Sequence, residues 1–107
     1  MGGSEQTMRL DRFLWFARIV KTRAIAQAMA GSGHVRVDGR AVDKPAAVVR
    51  IGSVVAFATP SGHVRALRIA ALPPRRGPPE EGRACYDDLL ENSRSERASV
   101  DGADARA

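Results

Sequence analysis

Basic side chains are concentrated in one stretch of the chain, residues 9–38, which reads RLDRFLWFARIVKTRAIAQAMAGSGHVRVD. Six of these residues are lysine or arginine, and only Asp11 and Asp38 are acidic. Guanidinium and ammonium groups without carboxylate partners are suited to binding phosphate oxygens. The stretch therefore predicts a surface that binds a polyanion, and a nucleic acid fits this chemistry.

The distribution of charge over the whole chain supports that prediction. The 107 residues carry a formal net charge of +5. Residues 1–76 hold 13 basic residues against 4 acidic ones, a charge of +9, whereas residues 77–107 hold 4 against 8, a charge of −4. A basic surface of this kind attracts polyanions at long range. We therefore expect binding in the first part and a different role for the acidic tail.

Two predicted helices would position the first basic residues. A stripe of apolar residues at i, i+3, i+4 and i+7 predicts a helix over residues 10–20: Leu10, Phe13, Leu14 and Ala17. Thr22 is a good N-cap for a second helix over residues 23–30, with Ile25, Ala28 and Met29 predicted to face inward. Asp11 would lie in the first turn, where a carboxylate suits the helix dipole.

The helices would direct basic groups to the same side of the molecule. Arg9 and Arg12 are three residues apart and would share a helix face. Lys21 and Arg23 flank the start of the second helix, where free backbone N–H groups already favour phosphate.

Two aromatic residues lie off the apolar stripe of the first helix. We expect Trp15 to widen the small core, which has few other aromatic side chains. Phe16 remains open between the same role and a platform on which a nucleic-acid base stacks.

A strand is predicted to follow the second helix and the glycine-rich end Gly31-Ser32-Gly33. Val35 and Val37 alternate with polar residues, which predicts a half-buried strand with His34 and Arg36 exposed. Asp38-Gly39 predicts a tight turn, and Arg40 follows it.

The remaining sequence predicts the rest of a small, mostly antiparallel sheet and then a tail. Residues 54–59 are an apolar strand segment, and residues 63–72 are a further strand in which Val64, Leu67 and Ile69 are apolar. A turn at Pro60-Ser61-Gly62 separates the two strands. Four prolines within residues 73–82 indicate the end of the folded domain. We therefore expect a disordered N-terminus over residues 1–8, one domain over residues 9–72, and a Pro-rich linker with an acidic, largely disordered tail over residues 73–107. Residues 85–93 could form a short acidic helix within this tail.

Several short motifs occur together in an order that resembles the S4 RNA-binding domain. They are RLD at residues 9–11, KTR at 21–23, an alanine-rich second helix, GHVRVDG at 33–39, KP at 44–45 and the turn at Gly52. The resemblance covers about residues 9–59, and residues 10–24 are most similar to the heat shock protein 15 family. Two departures are Ser53, where the family usually has an acid, and a shorter, more acidic tail.

The resemblance implies an α+β fold: two packed N-terminal helices followed by a small, mostly antiparallel sheet (the S4-type αL motif), with a flexible C-terminal tail. It also implies an RNA-facing surface that runs from the start of the first helix through the helix–helix turn to the loop and strand. In this sequence that surface comprises Arg9, Asp11, Arg12, Arg18, Lys21, Thr22, Arg23, Gly33, His34, Arg36, Asp38 and Arg40.

The function implied is non-catalytic binding of structured RNA. The resemblance indicates ribosomal RNA or the large ribosomal subunit carrying a stalled nascent chain, in a heat-shock or translation-rescue role. The alternative is a nonspecific DNA-binding or nucleoid-associated protein, because the charge pattern alone does not distinguish RNA from DNA. We expect a monomer.

Enzymatic and metal-binding functions have no motif in the sequence. HExxH, CxxC, P-loop and Gly-x-Ser-x-Gly patterns are absent. His34 and His63 lack metal-ligand spacing, and the single cysteine, Cys85, is predicted to be an incidental thiol. We therefore expect no catalytic residue, metal or cofactor. The sequence also lacks a long apolar run, so a cytoplasmic protein without a membrane partner is expected.

Overall fold

The computed structural model describes residues 6–90, which form three helices and seven strands. Predictions for residues 1–5 and 91–107 lie outside the described residues. In chain order the elements are β1 Thr7–Arg9, α1 Leu10–Phe16, α2 Arg23–Ala30, β2 Val35–Val37, β3 Arg40–Val42, β4 Val48–Arg50, β5 Val54–Ala58, β6 Val64–Ile69, α3 Pro79–Arg83 and β7 Tyr86–Asp88.

The sheet topology confirms the predicted α+β class. Five strands form one sheet in the order β3-β2-β5-β6-β7, and every neighbouring pair is antiparallel. A separate two-stranded sheet pairs β1 with β4, also antiparallel. Thr7 and Met8 are therefore paired in β1, although the sequence predicted a disordered segment up to residue 8. Three-residue strands are too short for their alternation to stand out in the sequence.

The core lies between the two helices and one face of the larger sheet. Leu10, Phe13 and Leu14 of α1 are completely buried, which confirms the predicted apolar stripe. They form one cluster with two alanines of α2 and with sheet residues such as Val55 and Leu67. Burying a side chain of this size stabilises a fold by about 1.5–3 kcal/mol. The α1 stripe is therefore the main link between the helical layer and the sheet.

The first helix is shorter than predicted because its chain reverses at Arg18. The Arg18 backbone has a positive φ of 62°. Its N–H donates to the Trp15 carbonyl and the next N–H, of Ile19, donates to the Leu14 carbonyl. This is the Schellman arrangement of a helix end, in which the left-handed residue is usually glycine. Because this position holds an arginine and not a glycine, the sequence contained no signal that the helix ends there.

The buried face of α2 differs from the predicted one. Ala26 and Ala30 are completely buried, Met29 is half-buried, and Ile25 is 47% exposed. Ala28, also predicted to face inward, is exposed. The smallest side chains face α1 because they allow two helices to approach closely, whereas the prediction favoured the largest apolar residue.

The hairpin of β2 and β3 agrees with the sequence pattern. Val35 is buried and Arg36 is exposed, and Val37 lies opposite Arg40 across the turn. The two turn residues, Asp38 and Gly39, have positive φ values of 52° and 86°. Two successive left-handed residues match the right-handed twist of the flanking strands, which is why Asp-Gly is common in such turns.

The proline-rich segment leads into further structure that the sequence analysis did not predict. Helix α3 places Gly82 against α1, and β7 extends the large sheet as its edge strand. Part of the helix expected over residues 85–93 is strand β7 instead, because Tyr86 pairs with Ile69 at the end of β6. Residues 89–90 are helical, and residues 91–93 lie outside the described residues. Cys85, expected in a polar tail, is 6% exposed and belongs to the core.

Candidate nucleic-acid interface

Four of the predicted binding residues surround a small cavity beside α1. The cavity has a volume of about 140 Å³ and is lined by Arg9, Asp11, Arg12, Trp15, Phe16 and Arg23. We call this set of six residues the aromatic cleft. It forms because β1, α1 and the start of α2 meet there, so residues 14 positions apart in sequence share one opening.

A two-point ion pair orients one side of the aromatic cleft. Arg9 donates from Nε and Nη2 to the two carboxylate oxygens of Asp11, at 3.0 and 2.9 Å. Asp11 is only 5% exposed, and its backbone N–H donates to the Pro45 carbonyl. Hydrogen bonds and charge attraction from Asp11 raise the pKa of Arg9. Asp11 therefore holds a guanidinium in place at the opening of the cleft.

Arg12 and Arg23 contribute the unpaired positive charge of the cleft. Both side chains are exposed, and no carboxylate within residues 6–90 forms an ion pair with either of them. Like charges that face one opening without an acidic partner favour an anionic ligand. These two arginines are the groups best placed to receive phosphate oxygens.

The aromatic rings of the cleft are only partly buried. Trp15 and Phe16 have ring centroids 5.6 Å apart with a tilt of 46°. Both are half-buried, and Trp15 packs against the core cluster, in agreement with the prediction that it widens the core. Both rings also line the cleft. A partly exposed ring between cations can stack on a base.

The loop between the helices holds the second group of predicted residues: Arg18, Lys21 and Thr22. Thr22 caps α2 as predicted, with its hydroxyl accepting from the Ile25 N–H at 3.1 Å. Lys21 is exposed. Arg18 donates from Nε to the carbonyl of Gly77, a residue 59 positions along the chain. This loop is therefore tied to the segment that precedes α3.

The β2–β3 hairpin carries the third group of predicted binding residues. These residues lie outside both the aromatic cleft and the loop between α1 and α2. His34, Arg36 and Arg40 are exposed, and Gly33 has a positive φ of 84° where the chain enters β2. Arg36 donates from Nη1 to the Gly39 carbonyl at 3.2 Å. The Asp38 carboxylate accepts from the Val54 N–H at 2.9 Å and so ties the turn to β5.

Two basic residues that the sequence analysis did not select join the second group. Arg76 and Arg83 line a groove of about 420 Å³ together with Arg18 and Lys21. The Arg76 guanidinium lies over the Trp15 ring at 5.3 Å and donates to the carbonyls of Trp15 and Val20. The only sequence signal was the Arg75-Arg76 pair itself, because its partners lie more than 50 residues away.

The described part of the chain contains neither a candidate metal site nor a helix that could span a membrane. Residues 6–90 contain no group of three or more histidine, cysteine, aspartate or glutamate side chains arranged to hold a metal ion. Within the same residues, no helix has the length and apolar character needed to cross a membrane.

Comparison with known proteins shows that parts of this chain are similar to one domain family and to several named proteins. The S4 domain family model matches residues 8–55. Heat shock protein 15 homolog of Haemophilus influenzae is 36% identical over 77 residues, 72% of this chain and 58% of that protein. Small ribosomal subunit protein uS4 of Staphylococcus haemolyticus is 40% identical over 47 residues, 44% of this chain and 24% of that protein. The chain thus spans little more than half the length of the heat shock protein relative.

A solved structure extends the similarity beyond the matched domain. Heat shock protein 15 of Vibrio cholerae superimposes with a TM-score of 0.71 and 28% identity, covering 89% of this chain and 96% of that one. That protein is described as a trimer, so the expected monomer has no support from it. The family-model match and the superposition agree with the motifs and the fold: residues 8–55 match the S4 domain family model, and the chain is similar to heat shock protein 15 over most of its length.

Proposed function

We propose that this protein is a non-catalytic RNA-binding protein whose target is structured RNA, in particular ribosomal RNA or the large ribosomal subunit. One observation carries the proposal: Arg12 and Arg23, which form no ion pair with a carboxylate of residues 6–90, line a single cleft together with two partly exposed aromatic rings. Phosphate-binding cations beside a stacking surface suit a nucleic acid with accessible bases. The similarity to an S4 domain and to a ribosomal protein supports RNA over DNA.

Some of the predicted surface residues would contact RNA phosphates, and others would maintain the shape of the binding surface. Arg12, Arg23, Arg36 and Arg40 would contact phosphates, since their guanidinium groups are exposed. Asp11, Thr22 and Asp38 would instead keep the surface in shape, because their side-chain oxygens accept hydrogen bonds from Arg9 and from the backbone N–H groups of Ile25 and Val54. RNA helices hide their major-groove edges, so recognition would depend mainly on shape, phosphates and unpaired bases.

A heat-shock or translation-rescue role on ribosomal complexes is the finer proposal. Its support is the similarity to heat shock protein 15 from two organisms and the wide coverage of the solved relative. Because that relative is trimeric, we also propose that this chain self-associates. Sedimentation of a lysate, followed by detection of the protein in ribosomal fractions, tests the ribosomal target, and light scattering of the purified protein tests self-association.

Salt-dependent binding of a labelled RNA stem-loop tests the aromatic cleft. The logarithm of the affinity should fall linearly with the logarithm of salt, by about 0.7 to 0.9 per phosphate contact. Arg12→Ala and Arg23→Ala should each reduce that slope by about one contact. Arg68→Ala is the matched control, because Arg68 is an exposed arginine of β6 outside the cleft.

The same titration distinguishes the proposed function from nonspecific DNA binding. Unlabelled stem-loop RNA should displace the labelled RNA at lower concentration than duplex DNA at matched salt. Equal displacement by the two competitors, or unchanged slopes in both cleft variants, would contradict the proposal.

A further inference from the structure

The groove behind the loop between α1 and α2 combines four positive charges from distant parts of the chain. Arg18 and Lys21 come from the loop, and Arg76 and Arg83 come from the segment that contains α3. We call these four residues and the space between them the basic groove. Among the residues that the structure describes, no carboxylate lines it. The groove therefore concentrates positive charge without compensation from its own walls.

Tertiary contacts hold this arrangement together despite the repulsion between the cations. Arg18 donates to the Gly77 carbonyl, and Arg76 donates to the Val20 carbonyl at 3.3 Å. Burial and the nearby charge of Arg18 lower the pKa of Arg76. Within α3, Glu81 forms an ion pair with Arg75. Arg75 lies outside the basic groove. The acids of α3 thus leave the groove positive.

Two of the four cations are available to a ligand. Lys21 and Arg83 are exposed and form none of the ion pairs found within residues 6–90. Arg76 and Arg18 use part of their hydrogen-bonding capacity on backbone carbonyls. A guanidinium has five N–H donors, so each retains donors for a further acceptor.

The basic groove is also connected to the aromatic cleft. Trp15 lines the cleft, and its ring is covered by the guanidinium of Arg76, which lines the groove. The loop residues of the groove follow α1 directly, so both sites share the C-terminal end of that helix. A single polyanionic strand could therefore contact both sites.

We propose that the basic groove is a second phosphate-binding site for the same RNA, in which Lys21 and Arg83 contact the sugar–phosphate backbone beyond the aromatic cleft. The inference rests on the proposed RNA-binding function and extends the interface to α3, outside the residues matched by the S4 domain. Its ligand is a backbone phosphate, because several converging N–H donors without an acid suit a tetrahedral oxyanion.

Substitution of the two exposed cations tests the groove in the full chain. Arg83→Ala and Lys21→Ala should each weaken binding of a labelled RNA stem-loop by about five-fold and lower the salt slope by about 0.7 to 0.9. Arg75→Ala is the matched control, because it removes an equal charge from the same segment but one that is paired with Glu81. Thermal melting of each variant verifies that the fold is retained.

The outcomes separate this proposal from the proposed function. Normal binding by Arg83→Ala and Lys21→Ala, with weakened binding by Arg12→Ala, overturns the groove and leaves the RNA-binding function intact. Absence of RNA binding by the unaltered protein overturns both. Inorganic phosphate tests whether the groove binds a free anion instead of RNA. That alternative holds if phosphate raises the melting temperature of the unaltered protein but not of Arg83→Ala, while the two proteins bind RNA equally.

Discussion

At the scale of single residues, strand alternation separates binding from stability in β2. Val35 is 1% exposed and packs in the core, whereas its neighbour Arg36 is exposed. The Arg36 side chain donates a hydrogen bond to the carbonyl of Gly39 in the adjacent turn. Removing the arginine therefore changes the surface, and truncating the valine leaves a gap in the core.

We expect Arg36→Ala to weaken RNA binding by about 1 kcal/mol, the scale of one charge-assisted hydrogen bond, with little effect on the free energy of unfolding. Val35→Ala should instead lower the free energy of unfolding by about 1–3 kcal/mol and leave RNA affinity nearly normal. Thermal melts and binding titrations on both variants measure the two effects. A destabilised Arg36→Ala protein combined with a stable, non-binding Val35→Ala protein would place the binding groups on the opposite face of β2.

At the scale of elements, the contact between α3 and the end of α1 depends on the absence of a side chain at Gly82. A Cβ atom at that position would lie 2.6 Å from the Ala17 carbonyl oxygen and 2.9 Å from its carbon. Both are backbone atoms that cannot rotate away. The two elements must therefore separate if any side chain is introduced there.

Gly82→Ala should consequently cost about 1–3 kcal/mol of unfolding free energy, which is typical of overpacking. Glu80→Ala, at an exposed site of the same helix, is the control and should be nearly neutral. Equal melting temperatures for the two variants would show that α3 does not rest on α1.

Cys85 provides a second measurement of the same contact. Burial, together with the charge of Glu81, raises the pKa of the Cys85 thiol. The folded protein therefore disfavours the thiolate, and its stability should fall as pH rises above the unfolded pKa of about 8.5. Alkylation of Cys85 by iodoacetamide should be slow in the native protein and faster in Gly82→Ala, because separation of α3 exposes the thiol.

At the scale of the whole molecule, the segment after the prolines is part of the fold. Strand β7 pairs with β6, and Arg65 donates to the Asp88 carboxylate at 3.0 Å. The Arg65 guanidinium also lies 5.9 Å from the centre of the Tyr86 ring. Burial of the Arg65 guanidinium lowers the pKa of Arg65. Interactions with Tyr86 and Asp88 outweigh that effect, so the pKa of Arg65 is raised overall.

A chain that ends after Arg76 should therefore melt at a lower temperature than one that ends after Leu90, because it loses α3, β7 and the buried Cys85. It should also bind the RNA stem-loop more weakly, since Arg83 is removed with α3. Calorimetry and the same binding titration compare the two chains. Matching melts would show that residues 77–90 contribute nothing to the stability of the domain.

The sequence by itself determined the features that rest on local chemistry. The apolar stripe of α1, the Thr22 cap and the Asp38-Gly39 turn are each specified by residues within one or two turns of the chain, and all are present in the structure. The order of the short motifs predicted the S4 domain, since each motif lies within a few residues of the chain. Those signals also selected the arginines that meet in the aromatic cleft.

Tertiary structure decided the features that depend on contacts between distant residues. The end of α1 at Arg18 carries no glycine signal, and α2 faces inward with Ala26 and Ala30 because close packing favours the smallest side chains. Strand β7 has only three residues, and β6 provides the hydrogen-bonding edge with which it pairs. The basic groove likewise joins residues 18 and 83, and only the docking of α3 on the end of α1 brings them together.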